Sequence, residues 1–159
     1  MIDTIKNMPE VKIKIVNGGN ISDSTSTFIG QNKKIIVFGV PGAFTSTCSN
    51  KHFPSYINLH EDLKIKGISS IYCLSVNDPS VMKAWQAQYP EGSKIIMIAD
   101  VNADLTKSLE LDKDYSSSFM GLRSKRFSLI SDNNKISMLN VEKAGEYKIS
   151  SAEHILNQI

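Results

Sequence analysis

Three short, continuous apolar runs alternate with segments of helical spacing, and this alternation constrains the fold more than any other feature of the chain. The apolar runs are KKIIVFGV (33–40), ISSIYCLSV (68–76) and KIIMIAD (94–100). A run of this kind is typical of a strand that is covered on both faces, as in a parallel sheet. Apolar residues at helical spacing follow each run, over 46–66, 80–89 and 103–111. The pattern therefore predicts consecutive βαβ units.

Antiparallel hairpins are predicted on both sides of this alternation. VKIKIV (11–16) alternates apolar and polar residues and leads into the turn sequence NGGN. Near the other end, RFSLIS (126–131) and KISMLNVE (135–142) flank an Asp-Asn-Asn turn, and SSAEHILNQI (150–159) is typical of a capped helix. The predicted fold is α/β and thioredoxin-like, with a mixed central sheet, helices on both faces and an N-terminal β-hairpin.

The first predicted helix, over 46–66, contains a proline at its centre. Pro54 cannot donate a backbone hydrogen bond to the preceding turn, so we expect the helix to bend there or to begin a second part. Gly67 follows the last apolar position and is expected to end the helix.

Length and charge limit the partners that this chain is expected to have. Its 159 residues are enough for one hydrophobic core, so we expect a single domain over 1–159. Its 18 basic and 16 acidic residues are scattered along the sequence, which favours neither a nucleic acid nor a membrane as a partner. The opening residues resemble neither a secretory signal nor a transit peptide, and we expect a cytoplasmic protein, although a presequence removed earlier would leave no trace.

The sequence has only two cysteines and three histidines, and their spacing does not match a metal site or a disulfide framework. We therefore expect no metal ion and no other cofactor. The remaining question is what a cysteine does in the segment VPGAFTSTCSNKH (40–52), where the strand ends and the helix begins.

Cys48 lies in the first turn of the predicted helix, where free N–H groups and the helix dipole favour a negative charge. The hydroxyl of Thr45 could donate to the sulfur or to an oxygen bound beside it, and Pro41 could pack nearby without adding a competing N–H group. A thiolate held in this way is a nucleophile for a small substrate. The alternative is that Cys48 is a small buried apolar residue.

Two arginines, Arg123 and Arg126, are the only ones in the chain, and both lie in MGLRSKRFSLI (120–130). Arginine presents a fixed, permanently charged fork that lysine lacks. At the start of a strand beside the helix, one of these guanidinium groups could hold the thiolate charge and polarise a peroxide bond. The alternative is a solvated basic turn.

Two further residues have less specific patterns. His52 follows Cys48 by four residues and could share its helical face and tune the sulfur, although a surface or packing role is favoured. Cys73 lies within the second apolar run, so we expect an inert thiol in the core rather than a partner for a disulfide with Cys48.

The motifs around these residues resemble those of the peroxiredoxins. VPGAFTSTCSNKHFPSYI is similar to the active-site segment of the type II, or Prx5-like, subfamily with its PGAFTPTCS motif. LSVNDPSVMKAW, GLRSKRFSL and LNVEKAGEYKISSAEHIL resemble its plant-type members, so the likeness covers nearly the whole chain from about residue 9. The resemblance implies a thioredoxin-fold peroxidase with Cys48 as the peroxidatic cysteine. Pro41 and Thr45 would shape the peroxide pocket, Arg126 would steady thiolate and substrate, and Arg123 would support them.

The sequence departs from the family pattern at two places. Ser46 replaces the usual proline of the motif, and we expect activity to survive this change. Animal relatives have a resolving cysteine near the C-terminus, whereas this chain has Ser150 and Ser151 in the corresponding region. The reductant would then be an outside thiol, for which the plant-type precedent is glutathione with glutaredoxin and the alternative is thioredoxin.

The sequence therefore predicts a thiol-dependent peroxidase that reduces hydrogen peroxide and small alkyl hydroperoxides through a sulfenic acid on Cys48. Two other functions remain open: a redox relay that passes the oxidation to a client protein, and a non-catalytic thioredoxin-like binding module. The resemblance also implies a homodimer that forms through surfaces near the active-site loops.

Overall fold

A seven-stranded mixed sheet forms the centre of the protein in the computed structural model, which describes residues 6–159. From one edge to the other, the strands are β2 (Asn20–Thr25), β1 (Lys12–Asn17), β5 (Ile96–Ala99), β4 (Ser70–Ser75), β3 (Lys34–Gly39), β8 (Phe127–Asp132) and β9 (Lys135–Val141). The three central strands are parallel, and they are β3 (Lys34–Gly39), β4 (Ser70–Ser75) and β5 (Ile96–Ala99). They correspond to the three apolar runs, and they are parallel because a helical segment connects each one to the next.

Antiparallel strands complete the sheet on both sides. β1 (Lys12–Asn17) and β2 (Asn20–Thr25) form the predicted N-terminal hairpin, and β1 pairs with β5. On the other side, β8 (Phe127–Asp132) pairs with β3 and with β9 (Lys135–Val141). The predicted mixed sheet and both predicted hairpins are confirmed.

Helices cover both faces of the sheet, as the sequence predicts. One core contains Phe38, Cys48, Phe53, Trp85 and Ile155, and it packs under α2 (Phe53–Asn58), α3 (His60–Ile65), α4 (Pro79–Ala87) and α6 (Ala152–Gln158). The opposite core includes buried residues from α1 (Ser26–Gly30) and α5 (Asp104–Ser108). No helix within residues 6–159 has both the length and the apolar character that a bilayer crossing requires.

The helical segment that begins after β3 is divided into parts, as its proline predicts. The helix starts at Ser46 and widens into a π-helical turn at Cys48–His52, where the amide of Phe53 donates to the carbonyl of Cys48. Pro54 then follows as the second residue of α2, so the proline, which cannot donate a backbone hydrogen bond, lies where the π-helical turn gives way to α-helix. The chain breaks again at Leu59 before α3 begins.

The structure contains three short elements that the sequence analysis did not predict. They are α1 and a small antiparallel sheet of β6 (Asp112–Asp114) and β7 (Leu122–Ser124). α5 is also shorter than the predicted helix over 103–111. Each of these strands has only three residues, which is too short for an alternation of apolar and polar residues to mark it.

Candidate active site

Cys48 is located where the parallel strand β3 has ended and the helical segment begins. Its side chain is fully buried, and it is the third residue of that segment. The amide of Ser49 donates to the carbonyl of Thr45 at 2.9 Å, which closes the first helical turn. The amides that precede this bond have no acceptor within the helix, so this end of the helix favours a negative charge on the sulfur.

Arg126 brings its charge directly to this sulfur. Its Nη2 donates to Sγ of Cys48 at 3.2 Å, and its Nη1 donates to Nδ1 of His52 at 3.0 Å. Arg126 lies immediately before β8, and β8 is the antiparallel neighbour of β3. The sheet therefore carries the guanidinium to the end of the strand from which the Cys48 loop emerges. The predicted arginine contact with Cys48 is present in the structure.

His52 is not a surface residue, so the surface role was wrong, whereas its ring does pack in the core, with its centroid 4.8 Å from that of Phe38. The side chain is fully buried, with Nε2 2.9 Å from the carbonyl of Ser150. Because Nδ1 accepts from Arg126, the proton must be on Nε2, which donates to Ser150. Burial, with the nearby Arg126 charge, lowers the pKa of His52 from 6.5 to about 3. His52 is therefore a neutral acceptor that orients the guanidinium.

The carbonyl of Ser150 is itself held in place by a buried carboxylate. Oε2 of Glu142 accepts from the amides of Lys148, Ile149 and Ser150 and from the Ser150 hydroxyl, at 2.7–2.8 Å. Burial alone would raise the pKa of Glu142, but these hydrogen bonds outweigh it and lower the pKa. A continuous set of hydrogen bonds thus connects Glu142 through Ser150 and His52 to Arg126 at the sulfur.

Thr45 does not donate to the sulfur in this structure, which differs from the expectation. Its Oγ1 donates to the carbonyl of Gly42 at 2.7 Å, and a hydroxyl has only one proton to give. The lone pairs of Thr45 Oγ1 can still accept a hydrogen bond. Thr45 Oγ1 can therefore accept a hydrogen bond from a substrate, but it does not donate one to the sulfur.

The loop from Pro41 to Thr45 is fixed by two neighbouring segments. The amide of Ala43 donates to Oδ1 of Asn77 at 3.0 Å, and Nη1 of Arg123 donates to the carbonyl of Pro41 at 3.2 Å. A Cβ atom on Gly42 would lie 2.8 Å from Nη1 of Arg123, so glycine permits this close approach. Arg123 thus holds the loop and not the sulfur, which leaves its predicted supporting role as a prediction.

A cleft of about 680 Å³ lies beside these residues, and Pro41, Thr47 and Arg126 belong to its lining. Cys48 itself is buried and does not line the cleft, but Arg126, which does, contacts its sulfur. Of the predicted site residues, Arg126 contacts Cys48 and His52 and shares the cleft with Pro41, while Thr45 lies one turn before Cys48 and contacts Gly42. Residues 6–159 contain no group of three or more His, Cys, Asp or Glu side chains placed to hold a metal ion.

Comparison with known proteins decides the family. The Redoxin family profile matches residues 5–156. Peroxiredoxin-2C of Oryza sativa subsp. japonica is 48% identical over 131 residues, which cover 82% of this chain and 81% of that protein. Peroxiredoxin-2C of Arabidopsis thaliana is 44% identical over an alignment 159 positions long, which covers 91% of this chain and 98% of that protein. The chain belongs to the Redoxin family and is a type II peroxiredoxin.

A solved structure agrees with this assignment. Reduced Prx3 of Vibrio vulnificus, in complex with hydrogen peroxide, matches this peroxiredoxin with a TM-score of 0.90 and 38% sequence identity, over 96% of each chain. The thioredoxin-like fold and the peroxiredoxin resemblance are confirmed. The peroxiredoxin is a thiol-dependent peroxidase.

The second thiol of the peroxiredoxin is buried in β4, as predicted. Cys73 is fully buried, and it belongs to the same core as Cys48. Burial raises the pKa of the Cys73 thiol well above its usual range, and a charge on Cys48 raises it further. Cys73 therefore stays protonated at neutral pH, and a protonated thiol is a poor nucleophile.

Several residues of the site were missed by the sequence analysis. Nε1 of Trp85 donates to Oγ of Ser49 at 3.0 Å, and the hydroxyl of Tyr89 donates to the Ser49 carbonyl at 2.6 Å, which fixes the residue after Cys48. Trp85 is also buried in the core.

Glu142 and Tyr147 were missed as well, although both lie in the segment that carries the resemblance. The centroid of the Tyr147 ring lies 5.2 Å from that of the His52 ring and 5.9 Å from the guanidinium carbon of Arg126. Tyr147 therefore packs beside both residues of the site.

Proposed function

We propose that this peroxiredoxin reduces hydrogen peroxide and small alkyl hydroperoxides with Cys48 as the peroxidatic cysteine. The observation that carries the proposal is the 3.2 Å contact from Nη2 of Arg126 to Sγ of Cys48, at the start of a helix. A guanidinium and a helix N-terminus both stabilise a thiolate, which is the reactive form of cysteine. Their coincidence at one sulfur supports a reactive cysteine at this position.

The oxidative step follows from this geometry. The thiolate attacks the terminal oxygen of the hydroperoxide, a sulfur–oxygen bond forms, and the oxygen–oxygen bond breaks. The sulfur is oxidised by two electrons to a sulfenic acid, while the departing alkoxide or hydroxide takes a proton and leaves as alcohol or water. The N–H groups of Arg126 stabilise the negative charge as it moves from sulfur to oxygen. Thr45 Oγ1 accepts from the peroxide O–H.

An outside thiol then restores Cys48. Glutathione condenses with the sulfenic acid to form a mixed disulfide and water, and a second thiol displaces Cys48 by exchange. Glutaredoxin with glutathione is the proposed reductant, and thioredoxin is the alternative. An outside thiol is proposed because this chain has Ser150 in the region where animal relatives have a resolving cysteine, and the Ser150 hydroxyl donates to Oε2 of Glu142.

The test is peroxide consumption with glutathione, glutaredoxin and thioredoxin systems supplied separately. Wild-type protein should consume hydrogen peroxide with at least one system, and Cys48→Ser should not. Labelling the oxidised protein with dimedone should mark Cys48 alone. A normal rate in Cys48→Ser would refute the proposal. A lasting mixed disulfide with one client protein, with negligible consumption, would instead support the redox relay.

We also propose that the protein forms a homodimer through an apolar patch beside the site, defined as Phe44, Phe119 and Leu122. Phe119 is 98% exposed and Phe44 is 53% exposed, and both have a positive φ, which is uncommon for residues other than glycine. Their two loops are adjacent, because Met120 and Arg123 both lie close to Gly42. Large apolar residues exposed together mark interaction sites.

Sedimentation equilibrium tests the dimer. We expect Phe119→Glu to shift the protein to monomers, whereas Phe28→Glu, at a 70% exposed position on α1 outside the patch, should leave it unchanged. Dimers that persist unaltered in Phe119→Glu would show that the patch is not the interface.

A cytoplasmic location also remains a proposal, for which cell fractionation is the test.

A further inference from the structure

The cleft beside Cys48 gathers lysines that are far apart in the sequence. Four of them line it together with Arg126, and they are Lys51, Lys113, Lys125 and Lys143. They come from different parts of the fold: the π-helical turn, β6, the segment between β7 and β8, and the loop after β9. These lysines are scattered along the sequence, but the fold gathers them on one surface.

The positive charge of this cleft is poorly compensated. Only two carboxylates line it, and Oε2 of Glu142 is already occupied by three amides and a hydroxyl. Oε2 of the other carboxylate, Glu146, lies 3.5 Å from Nζ of Lys148. Asp112 and Asp114 alternate with Lys113 along β6, so they project from the opposite face of that strand.

None of the four lysines takes part in a salt bridge with a residue in the described part of the chain. The whole chain has a net charge of only +2, so this cleft holds more net positive charge than the protein as a whole. Like charges in a concave surface repel one another and raise the local concentration of anions. The cleft therefore favours the binding of an anion.

The size and the apolar part of the lining indicate an organic anion. Hydrogen peroxide is hardly larger than a water molecule, which occupies roughly 30 Å³ in the liquid. The cleft has a volume of about 680 Å³, within the usual range for organic ligands. Tyr115, Val141, Ala144 and Tyr147 supply apolar surface between the charged groups. Nζ of Lys113 lies 5.1 Å from the ring of Tyr115, which keeps this cation next to apolar surface.

We propose that the cleft binds organic hydroperoxides that carry a carboxylate, and that its lysines select these substrates over neutral ones. The inference rests on the proposed function, because it concerns the substrate that Cys48 reduces. The carboxylate binds to the lysines at the outer part of the cleft. The apolar body lies against the tyrosines, and the peroxy end enters beside Pro41, Thr47 and Arg126.

The chemical step is that of any hydroperoxide. The Cys48 thiolate takes the terminal oxygen, the oxygen–oxygen bond breaks, and the remaining alkoxide is protonated to a hydroxy acid. The sulfur loses two electrons and the peroxide gains them. The carboxylate is unchanged, so it affects binding and approach but not the balance of the reaction.

A matched pair of substrates tests the proposal: cumene hydroperoxide and the same compound with a carboxylate on the ring. The second-order rate constant for oxidation of Cys48 can be followed in a stopped-flow experiment by the fluorescence of Trp85, the single tryptophan. We expect the carboxylate to react at least about tenfold faster at low ionic strength, and we expect this ratio to fall as salt is added.

Variants assign the effect to the cleft. The variants are Lys113→Gln and Lys143→Gln. Lys51 and Lys125 are not substituted because they lie close in sequence to Cys48 and Arg126, where a change could disturb the reaction itself. Each variant should reduce the ratio of the two rate constants by roughly two- to fivefold. The matched control is Lys83→Gln, on the exposed face of α4, which should leave both rate constants unchanged.

The outcomes separate this inference from the proposed function. Equal rate constants for the two hydroperoxides, or a preference that Lys113→Gln and Lys143→Gln leave intact, would overturn the inference while Cys48 remains the peroxidatic residue. The inference also fails if these variants slow only reduction by glutathione, since the lysines would then bind the carboxylates of the reductant. If neither hydroperoxide oxidises Cys48, the proposed function fails too.

Discussion

Arg126 donates to His52 through Nη1 at 3.0 Å, and His52 can accept this bond only because its other ring nitrogen donates to the carbonyl of Ser150. The same guanidinium reaches Cys48 through Nη2. Two fixed partners therefore determine both the position and the plane of the guanidinium group. Preorganisation of this kind stabilises charge without a cost of rearrangement during the reaction.

Replacing Arg126 tests the contribution of this group to the oxidative step. Arg126→Met should lower the second-order rate constant for oxidation of Cys48 at least about tenfold, where each decade corresponds to about 1.4 kcal/mol. Arg126→Lys should recover only part of the rate, because a single ammonium group cannot serve both His52 and the sulfur. Stopped-flow fluorescence with hydrogen peroxide measures all three proteins. A wild-type rate in Arg126→Met would remove this residue from the site.

His52 predicts a specific loss of stability in acid. The unfolded chain binds a proton at His52 below a pKa of 6.5, whereas the folded protein does so only near 3. Between these values the unfolded state holds more protons, so the free energy of unfolding falls as the pH is lowered from 6.5 towards 3. Protonation of His52 alone should lower the free energy of unfolding by about 2 kcal/mol between pH 7 and pH 5.

Urea unfolding of the wild type and of His52→Asn at both pH values isolates this contribution. Carboxylates such as Glu142 contribute to both proteins and cancel in the comparison. The free energy of unfolding of His52→Asn should therefore depend less on pH than that of the wild type. Identical pH dependence in the two proteins would contradict a buried, neutral His52.

The effect of His52 on catalysis should pass through Arg126. We expect His52→Asn to slow the oxidation of Cys48, and we expect the double variant with Arg126→Met to be no slower than Arg126→Met alone. Residues that act in one network give such non-additive effects in a double-mutant cycle. Additive losses would mean that His52 acts on the sulfur by a route that does not include Arg126.

The sequence predicted the elements and residues whose signals are local. Three apolar runs identified β3, β4 and β5, and the scarcity of arginine drew attention to Arg126 before any resemblance was considered. Pro54 correctly predicted the division of the helix after Cys48. These signals depend on side-chain pattern within a few residues, which is the range over which periodicity carries information.

The rest of the site depends on contacts that leave no local pattern. The acceptor that fixes His52 is the backbone carbonyl of Ser150, and a carbonyl is present in every residue, whatever its side chain. The four lysines of the cleft meet only because the π-helical turn, β6, the segment between β7 and β8, and the loop after β9 converge. Thr45 was predicted as a donor because the sequence could not show that its proton goes to Gly42.

The Thr45 hydroxyl leads to a prediction that tests whether it takes part in the oxidation of Cys48. Thr45→Val removes both the bond to the Gly42 carbonyl and the acceptor offered to the peroxide, so the oxidation of Cys48 should slow at least about tenfold. Thr45→Ser keeps the hydroxyl and should stay close to the wild-type rate. The same stopped-flow measurement applies to both variants. Equal rate constants for Cys48 oxidation in Thr45→Val and Thr45→Ser would show that the hydroxyl has no part in the reaction.

Cys73 is the remaining thiol, and its environment predicts that turnover does not require it. Its thiol is buried in β4 with a pKa well above the usual range, so it offers little thiolate for attack on a sulfenic acid at Cys48. A disulfide would also need Cα atoms about 4.4–6.8 Å apart and side chains directed at each other. The reaction with an external thiol has no such requirement.

Cys73→Ser should therefore keep most of the steady-state peroxidase activity with the reductant that serves the wild type. Because a serine hydroxyl in this core could itself destabilise β4, Cys73→Ala is measured beside it, and circular dichroism confirms that both variants are folded. Non-reducing mass spectrometry after one equivalent of peroxide should detect no Cys48–Cys73 disulfide in the wild type. Loss of turnover in both folded variants, together with that disulfide, would replace the single-cysteine scheme with an intramolecular one.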